Sequence, residues 1–230
     1  MANKPNLNPE NIGAGLGELK VRLLFLLFAI FVYRVGTHIP VPGIDPLQLQ
    51  AFFEQNEGTF AGLFNMFSGG ALERMSIVAL GIMPYISASI IMQLLTAVSP
   101  QLDQLKKEGE SGRRKITQYT RYGALVLATV QGTGMTVGLL SPMAYNPGLA
   151  FNLTAIISLV TGAMFLMWLG EQITEKGIGN GISMLIFAGI VALFPAAVGT
   201  SLTQAYEGQI SGVLLLVVAI IAIGVVAGIV

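Results

Sequence analysis

The sequence predicts an all-α protein, a polytopic transmembrane helix bundle of about six spans with one re-entrant segment. Hydrophobic residues make up 53% of the chain and charged residues only 10%, whereas soluble domains carry about 25% charged residues. The charge-free runs are long: Met75–Val98 has 24 residues, and about 20 apolar residues suffice to cross the hydrocarbon of a bilayer. Each span is expected to be helical, because a helix satisfies its backbone hydrogen bonds internally.

The composition also excludes several classes of function. There are no cysteines, and therefore no disulfides, thiolate nucleophile or thiolate metal site. The single histidine, His38, cannot form a metal site alone, and no Ser/His/Asp set or paired intramembrane carboxylates occur. The glycines of a dinucleotide-binding loop come directly after a strand, whereas no strand is expected before Gly177–Gly181. The chain is therefore not expected to be an enzyme or to hold a metal or cofactor.

The N-terminal part is predicted to be a cytoplasmic segment, residues 1–22, that leads into the first span. Within it, Gly17–Arg22 is typical of a short interfacial helix, and span 1 is expected at about Leu23–Val41. Arg34 near the far end is expected to extend outward to the headgroups. Leu26 is expected to face lipid.

The next part combines a re-entrant segment with a broken span. Phe64–Leu72 is too polar and Gly-rich to cross a bilayer alone, and Met75–Val98 follows as span 2 with Pro84 inside it. Ile82 and Ile86 are four residues apart and therefore share one helix face. Membrane proteins place such an arrangement beside a pathway rather than against lipid. A Pro-kinked packing helix is the alternative.

The rest of the chain predicts a charged loop and four more spans. The expected elements are a charged loop (Gln101–Arg121), span 3 (Tyr122–Leu140), span 4 (Phe151–Gly170), a tight loop (Glu171–Gly181), span 5 (Ile182–Thr200) and span 6 (from about Ser211). The expected units are a five-span half, residues 23–206, and a truncated sixth span, residues 207–230. The chain ends inside an apolar run, which is typical of a fragment.

The cations predict the orientation. With the N-terminus in the cytoplasm, ten of the 12 Lys and Arg residues fall on the cytoplasmic side, and only Arg34 and Arg74 fall outside. Such a bias in short loops indicates a cytoplasmic N-terminus. A proton- or ion-coupled carrier usually keeps a charged residue in mid-span, and none is found here, which favours a passive pore.

Five stretches closely resemble the bacterial SecY family: GLGELKVRLLF, FNMFSGGALERMSI, ALGIMPYISASIIMQLL, KKEGESGRRKITQYTRY and FLMWLGEQITEKGIGNGIS. The resemblance runs from Leu16 to about Ala192. It implies half of a pseudo-symmetric ten-span channel, the N-terminal half plus span 6. Such a channel passes unfolded preproteins across the bacterial inner membrane and releases apolar segments laterally into it.

The resemblance also implies roles for particular residues. Phe60–Arg74 matches the plug, a short helix that closes the channel from outside, and spans 2 and 3 match one side of the lateral gate. The residues concerned are Phe64, Asn65, Phe67, Ser68 and Gly69 in the plug, Ile82, Ile86 and Ile186 in a hydrophobic pore ring, and Arg113, Arg114, Lys115 and Arg121 on a surface that docks cytoplasmic partners.

The implied partners are the SecE and SecG subunits, the SecA motor, the ribosome, a signal peptide or nascent chain, and membrane lipids. Nucleic acid would be met only through ribosomal RNA. The residues by themselves leave two other classes open, a secondary transporter with a Pro-broken helix at its midplane and an intramembrane scaffold. The cationic loop is equally explained as a solvated anchor on the cytoplasmic side.

Overall fold

The computed structural model describes residues 9–55, 65 and 68–206, and its secondary structure is helical. The helices are α1 (Pro9–Gly36), α2 (Pro46–Gln55), α3 (Met83–Val98), α4 (Pro100–Lys107), α5 (Glu110–Met135), α6 (Leu149–Lys176) and α7 (Gly181–Tyr206). A π-helical turn, Thr136–Leu140, and a 3-10 turn, Ser141–Met143, continue α5. Over these residues there are isolated β-bridges but no strand. The all-α fold class is confirmed.

Three of the described helices are long and apolar enough to cross a membrane: Glu110–Met143, Leu149–Lys176 and Gly181–Tyr206. The pair α3 and α4, bent by 100° at Ser99, becomes a fourth if it is one span. These helices correspond to expected spans 2 to 5. The expected span 6, residues 207–230, lies outside the described residues.

Helix α1 corrects two expectations about the N-terminal part. Gly17–Arg22 is not a separate interfacial helix, because nothing between Arg22 and Leu23 breaks the helix and α1 continues to Gly36. It ends there and not at Val41, since the chain then turns toward Pro40, which cannot donate a helical hydrogen bond. Leu26 does not face lipid: it is 5% exposed and belongs to the hydrophobic core.

Span 2 also differs from its prediction. The helix begins only at Met83, so Pro84 lies in its first turn rather than inside it. Proline favours the first turn because its missing N–H has no helical acceptor there. The preceding residues, from Ser68 to Ile82, form turns, and the left-handed backbone of Met75 (φ 42) and Gly81 (φ 58) explains why no helix runs through them.

The two predicted charged loops are largely helical. Residues 101–121 form α4 and the first turns of α5, and the only break between these helices is at residues 108 and 109. Likewise α6 continues through Glu171–Lys176, which shortens the expected tight loop to Gly177–Asn180. Ion pairs four residues apart, such as Lys107 with Asp103 at 2.6 Å, help to explain why α4 and the start of α5 remain helical.

The bundle has two distinct ends. At one end, the charged end, Arg121 of α5 contacts Glu171 of α6, and Arg22 of α1 donates to the carbonyl of Gly177 at 3.4 Å. At the other, the turn end, two antiparallel β-bridges join connecting segments, Pro40 with Ser76 and Ile44 with Ala144. Helices α1, α5 and α6 each run from one end to the other.

The non-helical segment from Met75 to Ile82 is buried between the helices. Val78 and Ile82 pack with residues of α1, α6 and α7 in the main core cluster, whose fully buried members include Leu166, Ile173 and Leu185. Gly162 of α6 permits this packing, since a Cβ there would overlap the carbonyl oxygen of Ile77. Irregular backbone at membrane depth is tolerated where it is buried in protein in this way.

Candidate pore constriction and plug segment

The three isoleucines expected in the pore ring lie at one cavity. Its volume is about 200 Å³. Its lining residues are Ser68, Ala79, Leu80, Gly81, Ile82, Met83, Ile86 and Ile186. The side chains come from three parts of the chain: the start of α3, the segment before it, and α7. Ser68 is the only one of them with a polar side chain, so the cavity has an apolar wall.

The start of α3 holds Ile82 and Ile86 one turn apart. Ile82 is the residue that caps the helix, and its carbonyl accepts the N–H of Ile86 at 3.1 Å. The predicted spacing is therefore retained although the helix begins later than expected. Ile82 is buried at 7% exposure, and Ile86 and Ile186 are half-buried. Side chains that are only partly packed leave room to move.

We call residues 60–74 the plug segment; the structure describes Asn65 and Ser68–Arg74 of it. Phe64 and Phe67 lie outside the described residues. Asn65 is helical and residues 68–74 form turns. The side chain of Asn65 closes these turns, because its Nδ2 donates to Glu73 Oε2 and its Oδ1 accepts the N–H of Glu73, both at 3.0 Å.

Two consecutive residues of α1 bind two consecutive carbonyls of the plug segment. The hydroxyl of Tyr33 donates to the carbonyl oxygen of Ser68 at 3.0 Å, and Nη1 of Arg34 donates to that of Gly69 at 2.8 Å. Arg34 therefore does not extend freely to the headgroups as expected. Tyr33 is buried at 4% exposure, so its hydroxyl makes this bond away from bulk solvent.

The other end of the plug segment also contacts the region after α1. Nη1 of Arg74 lies 3.1 Å from Nε2 of His38, and Nδ1 of His38 lies 2.8 Å from the carbonyl oxygen of Arg34. A guanidinium group only donates, so Nε2 is the acceptor and Nδ1–H donates to the Arg34 carbonyl. The histidine thus links both arginines that depart from the positive-inside bias.

Helix α7 covers the plug segment on its other side. Gly69 adopts φ +66, and a Cβ built on it would lie 3.0 Å from the α-carbon of Gly189 and 3.2 Å from the Tyr33 hydroxyl oxygen. Gly189 follows Ile186 by three residues and lies on the same side of α7. The helix that carries one cavity isoleucine therefore also packs on the plug segment.

The residues expected to dock partners begin α5 at the charged end. Arg113, Arg114 and Lys115 are exposed, and Arg114 makes a loose 3.8 Å pair with Glu110. Arg121 differs from them, since its Nε lies 2.8 Å from Oε1 of Glu171. The structure therefore groups the first three residues and places Arg121 in a contact between α5 and α6.

Neither Tyr33 nor Gly189 was identified from the sequence. The one sequence feature that pointed to these contacts was the pair Arg34 and Arg74, the only cations expected outside. Arg34 binds the plug segment, and Arg74, which belongs to it, contacts His38. No pattern in the chain indicates Tyr33 or Gly189, because their contacts depend on the path of residues 68–82. Among the described residues no group of three His, Asp or Glu side chains could hold a metal ion.

Comparisons with known proteins identify the family to which the chain is related. The SecY family model matches residues 76–230. The chain is 68% identical over 214 residues to the protein translocase subunit SecY of Pseudomonas aeruginosa strain PAO1. This alignment covers 90% of this chain and 48% of the relative. It is 58% identical over 230 residues to the corresponding subunit of Escherichia coli K12, covering 98% of this chain and 52% of the relative. The chain thus spans about half the length of these curated relatives.

Solved structures show the same fold at lower identity. One is described as Sec61 in the canine ribosome-channel complex from the endoplasmic reticulum, with a TM-score of 0.60, 21% identity and coverage of 85% of this chain and 42% of that one. Another, from work on the plug domain of SecY, has a TM-score of 0.58 and 23% identity, and the match covers 76% of this chain and 36% of that one. The family model extends over more than half of the chain. The chain therefore belongs to the SecY family.

Proposed function

We propose that this chain forms one half of a protein-conducting channel in the bacterial inner membrane. The complete channel would pass unfolded preproteins across the membrane and release apolar segments laterally into it. Membership of the SecY family supports this proposal, as does the translocase function named for its relatives. In this scheme residues 23–206 form the five-span half, residues 1–22 the cytoplasmic segment and residues 207–230 the start of the second half.

The observation that carries the proposal is the meeting of Ile82, Ile86 and Ile186 at one small cavity beside Ser68. An apolar constriction excludes ions because wetting it costs free energy that no polar group offsets. Isoleucine side chains can nevertheless separate around an extended peptide. The plug segment lies against the same cavity and supplies a second barrier in the resting channel.

The proposed orientation and partners follow from the two ends of the bundle. The charged end faces the cytoplasm, so the N-terminus is cytoplasmic and the surface of Arg113, Arg114 and Lys115 meets the SecA motor or the ribosome. The similarity to a channel described in complex with a ribosome supports the latter. SecE and SecG complete the assembly, α3 and α5 line one side of the lateral gate, and a signal peptide passes between this half and the other.

The decisive measurement is the ion current through the resting full-length channel, reconstituted with its partner subunits in a planar bilayer. Replacing Ile82, Ile86 and Ile186 together by serine makes the side chains at the constriction smaller. It also makes them polar, so that water can enter. We expect the triple variant to conduct ions without substrate, and removal of residues 60–74 to increase the current further.

The control replaces a residue away from the cavity. Leu27 is 55% exposed on α1, so Leu27→Ala is expected to leave the resting current near zero. If the triple variant folds and inserts but stays as tight as the parent, these isoleucines do not form the gate and the channel assignment fails. Saturable binding of a small solute would instead favour the secondary transporter, a class for which the relatives named above give no support.

A further inference from the structure

We propose that Tyr33 and Arg34 form a latch that holds the plug segment closed, and that its release is required before the constriction opens. The proposal rests on the channel function proposed above. It concerns residues of α1 that do not line the cavity of the three isoleucines. They would act by positioning the plug segment, and so would set how often the resting channel opens.

The first argument is geometric. The donors are adjacent in the chain, and so are their acceptors, the carbonyl oxygens of Ser68 and Gly69, at 3.0 Å and 2.8 Å. A pair of bonds between two adjacent donors and two adjacent acceptors fixes both the position and the direction of a short segment. Because the acceptors are backbone atoms, the latch does not depend on the side chains of the plug segment.

The second argument is the location of the charge. Ten of the 12 Lys and Arg residues are on the side predicted to be cytoplasmic, and Arg34 and Arg74 are the exceptions. Cations outside oppose the positive-inside bias, so a specific contact offsets that cost. Arg34 binds the plug segment, and Arg74, which belongs to it, binds His38 four residues after Arg34. Both exceptions therefore attach the plug segment to α1 and the turn that follows it.

The third argument concerns strength. A neutral hydrogen bond contributes modestly to a folded state, and one from a charged group contributes more. The two bonds together favour the closed position, yet an entering polypeptide that makes its own contacts can outcompete them. Gly69 also lies against Gly189 without a Cβ between them, so no side-chain contact has to be broken between these two residues when the segment leaves.

The experiment measures the open probability of the full-length channel with its partner subunits in planar bilayers, without substrate. Tyr33→Phe removes only the hydroxyl and keeps the packing of the ring, and we expect it to raise open probability on the order of tenfold. Arg34→Met removes the charged donor and should have at least as large an effect. Arg34→Lys keeps a donor of similar reach and should restore open probability to within about threefold of the parent.

A matched control and a reporter of plug position accompany these variants. Tyr145→Phe changes a tyrosine that is 63% exposed at the same end of the bundle, and it should leave open probability unchanged. Because the chain has no cysteine, Ser68→Cys supplies a single thiol in the plug segment. Its labelling rate by an impermeant reagent should rise in Tyr33→Phe and Arg34→Met in parallel with open probability.

The deciding comparison repeats the variants in a channel lacking residues 60–74. If Tyr33→Phe and Arg34→Met have no further effect there, they act through the plug segment, as proposed. An equal increase with and without the plug segment would show that they disturb the helices, and would overturn the latch. If removing residues 60–74 causes leakage but neither latch variant does, the latch is wrong and the channel function stands. If removal causes no leakage, the plug segment is not a barrier and the latch is wrong, whereas the channel function is decided separately by the isoleucine triple variant.

Discussion

The α-carbon of Gly162 in α6 lies against the carbonyl oxygen of Ile77, with no space for a side chain between them. This contact joins a regular helix to the irregular segment that precedes α3. It is one of the places where the path of residues 75–82 is fixed, and those residues carry one side of the candidate constriction.

Replacing Gly162 by alanine is therefore expected to destabilise the protein. The added Cβ would overlap the Ile77 carbonyl oxygen, so the backbone of one element has to move, and overpacking of this kind costs about 1–3 kcal/mol. The melting temperature of the purified channel complex in detergent measures the effect. Gly134→Ala on α5 is the matched control, because nothing lies within 4 Å of its added Cβ. It should leave stability unchanged or raise it by up to about 1 kcal/mol, and equal losses in both variants would contradict the packing argument.

The cationic surface gives a second prediction. Arg113 and Lys115 are exposed, so Arg113→Glu with Lys115→Glu should weaken binding of ribosomes or SecA roughly tenfold at low ionic strength. The difference should shrink near physiological salt, where screening already operates. Binding titrations at two salt concentrations measure this. Unchanged affinity at low salt would leave these residues as a solvated anchor.

Arg121 is expected to behave differently from that surface. Its side chain is 48% exposed and that of Glu171 is 20% exposed, and a partly exposed pair of this kind contributes about 1 kcal/mol or less. Arg121→Glu places two carboxylates together and should lower the melting temperature, whereas Arg121→Glu with Glu171→Arg should recover most of the loss. If the double variant is no more stable than the single one, the two side chains do not act as a pair.

The topology can be tested with single cysteines, since the chain has none. Ser111 is exposed at the charged end, and Leu47 in α2 is 75% exposed near the turn end. An impermeant thiol reagent should label Ser111→Cys only from the cytoplasmic side and Leu47→Cys only from the outside. Labelling of both from the same side would overturn the proposed orientation.

The parts of this fold that were predictable from sequence are those governed by hydropathy over long windows. Spans 3 to 5 appear as helices α5 to α7, and Ile82 and Ile86 remain one turn apart. Helix ends were less predictable, because polar residues such as Glu110 and Lys176 extend helices into the regions expected to be loops. Charge indicates where a chain leaves the membrane and does not by itself indicate where a helix stops.

The irregular segment before α3 could not be predicted from composition. Met75–Val98 contains no charged residue, yet only its second part is helical. The start of the helix is set by Pro84 and by the left-handed backbone at Gly81, and the path before it is set by contacts with Gly162 and Gly189, far away in the chain. The contact of Tyr33 with the plug segment depends on that path, and sequence spacing therefore did not reveal it.

The bridge at the turn end has a consequence for how the sequence can vary. Val41 donates its N–H to the carbonyl of Met75 at 2.8 Å, and Ile77 donates to that of Ile39 at 2.9 Å. Neither bond involves a side chain, so the pairing itself requires only that the two N–H groups remain. Proline is the one residue that removes such a donor. Positions 41 and 77 therefore exclude proline, and packing restricts the choice further at Val41, which is 2% exposed in a core cluster.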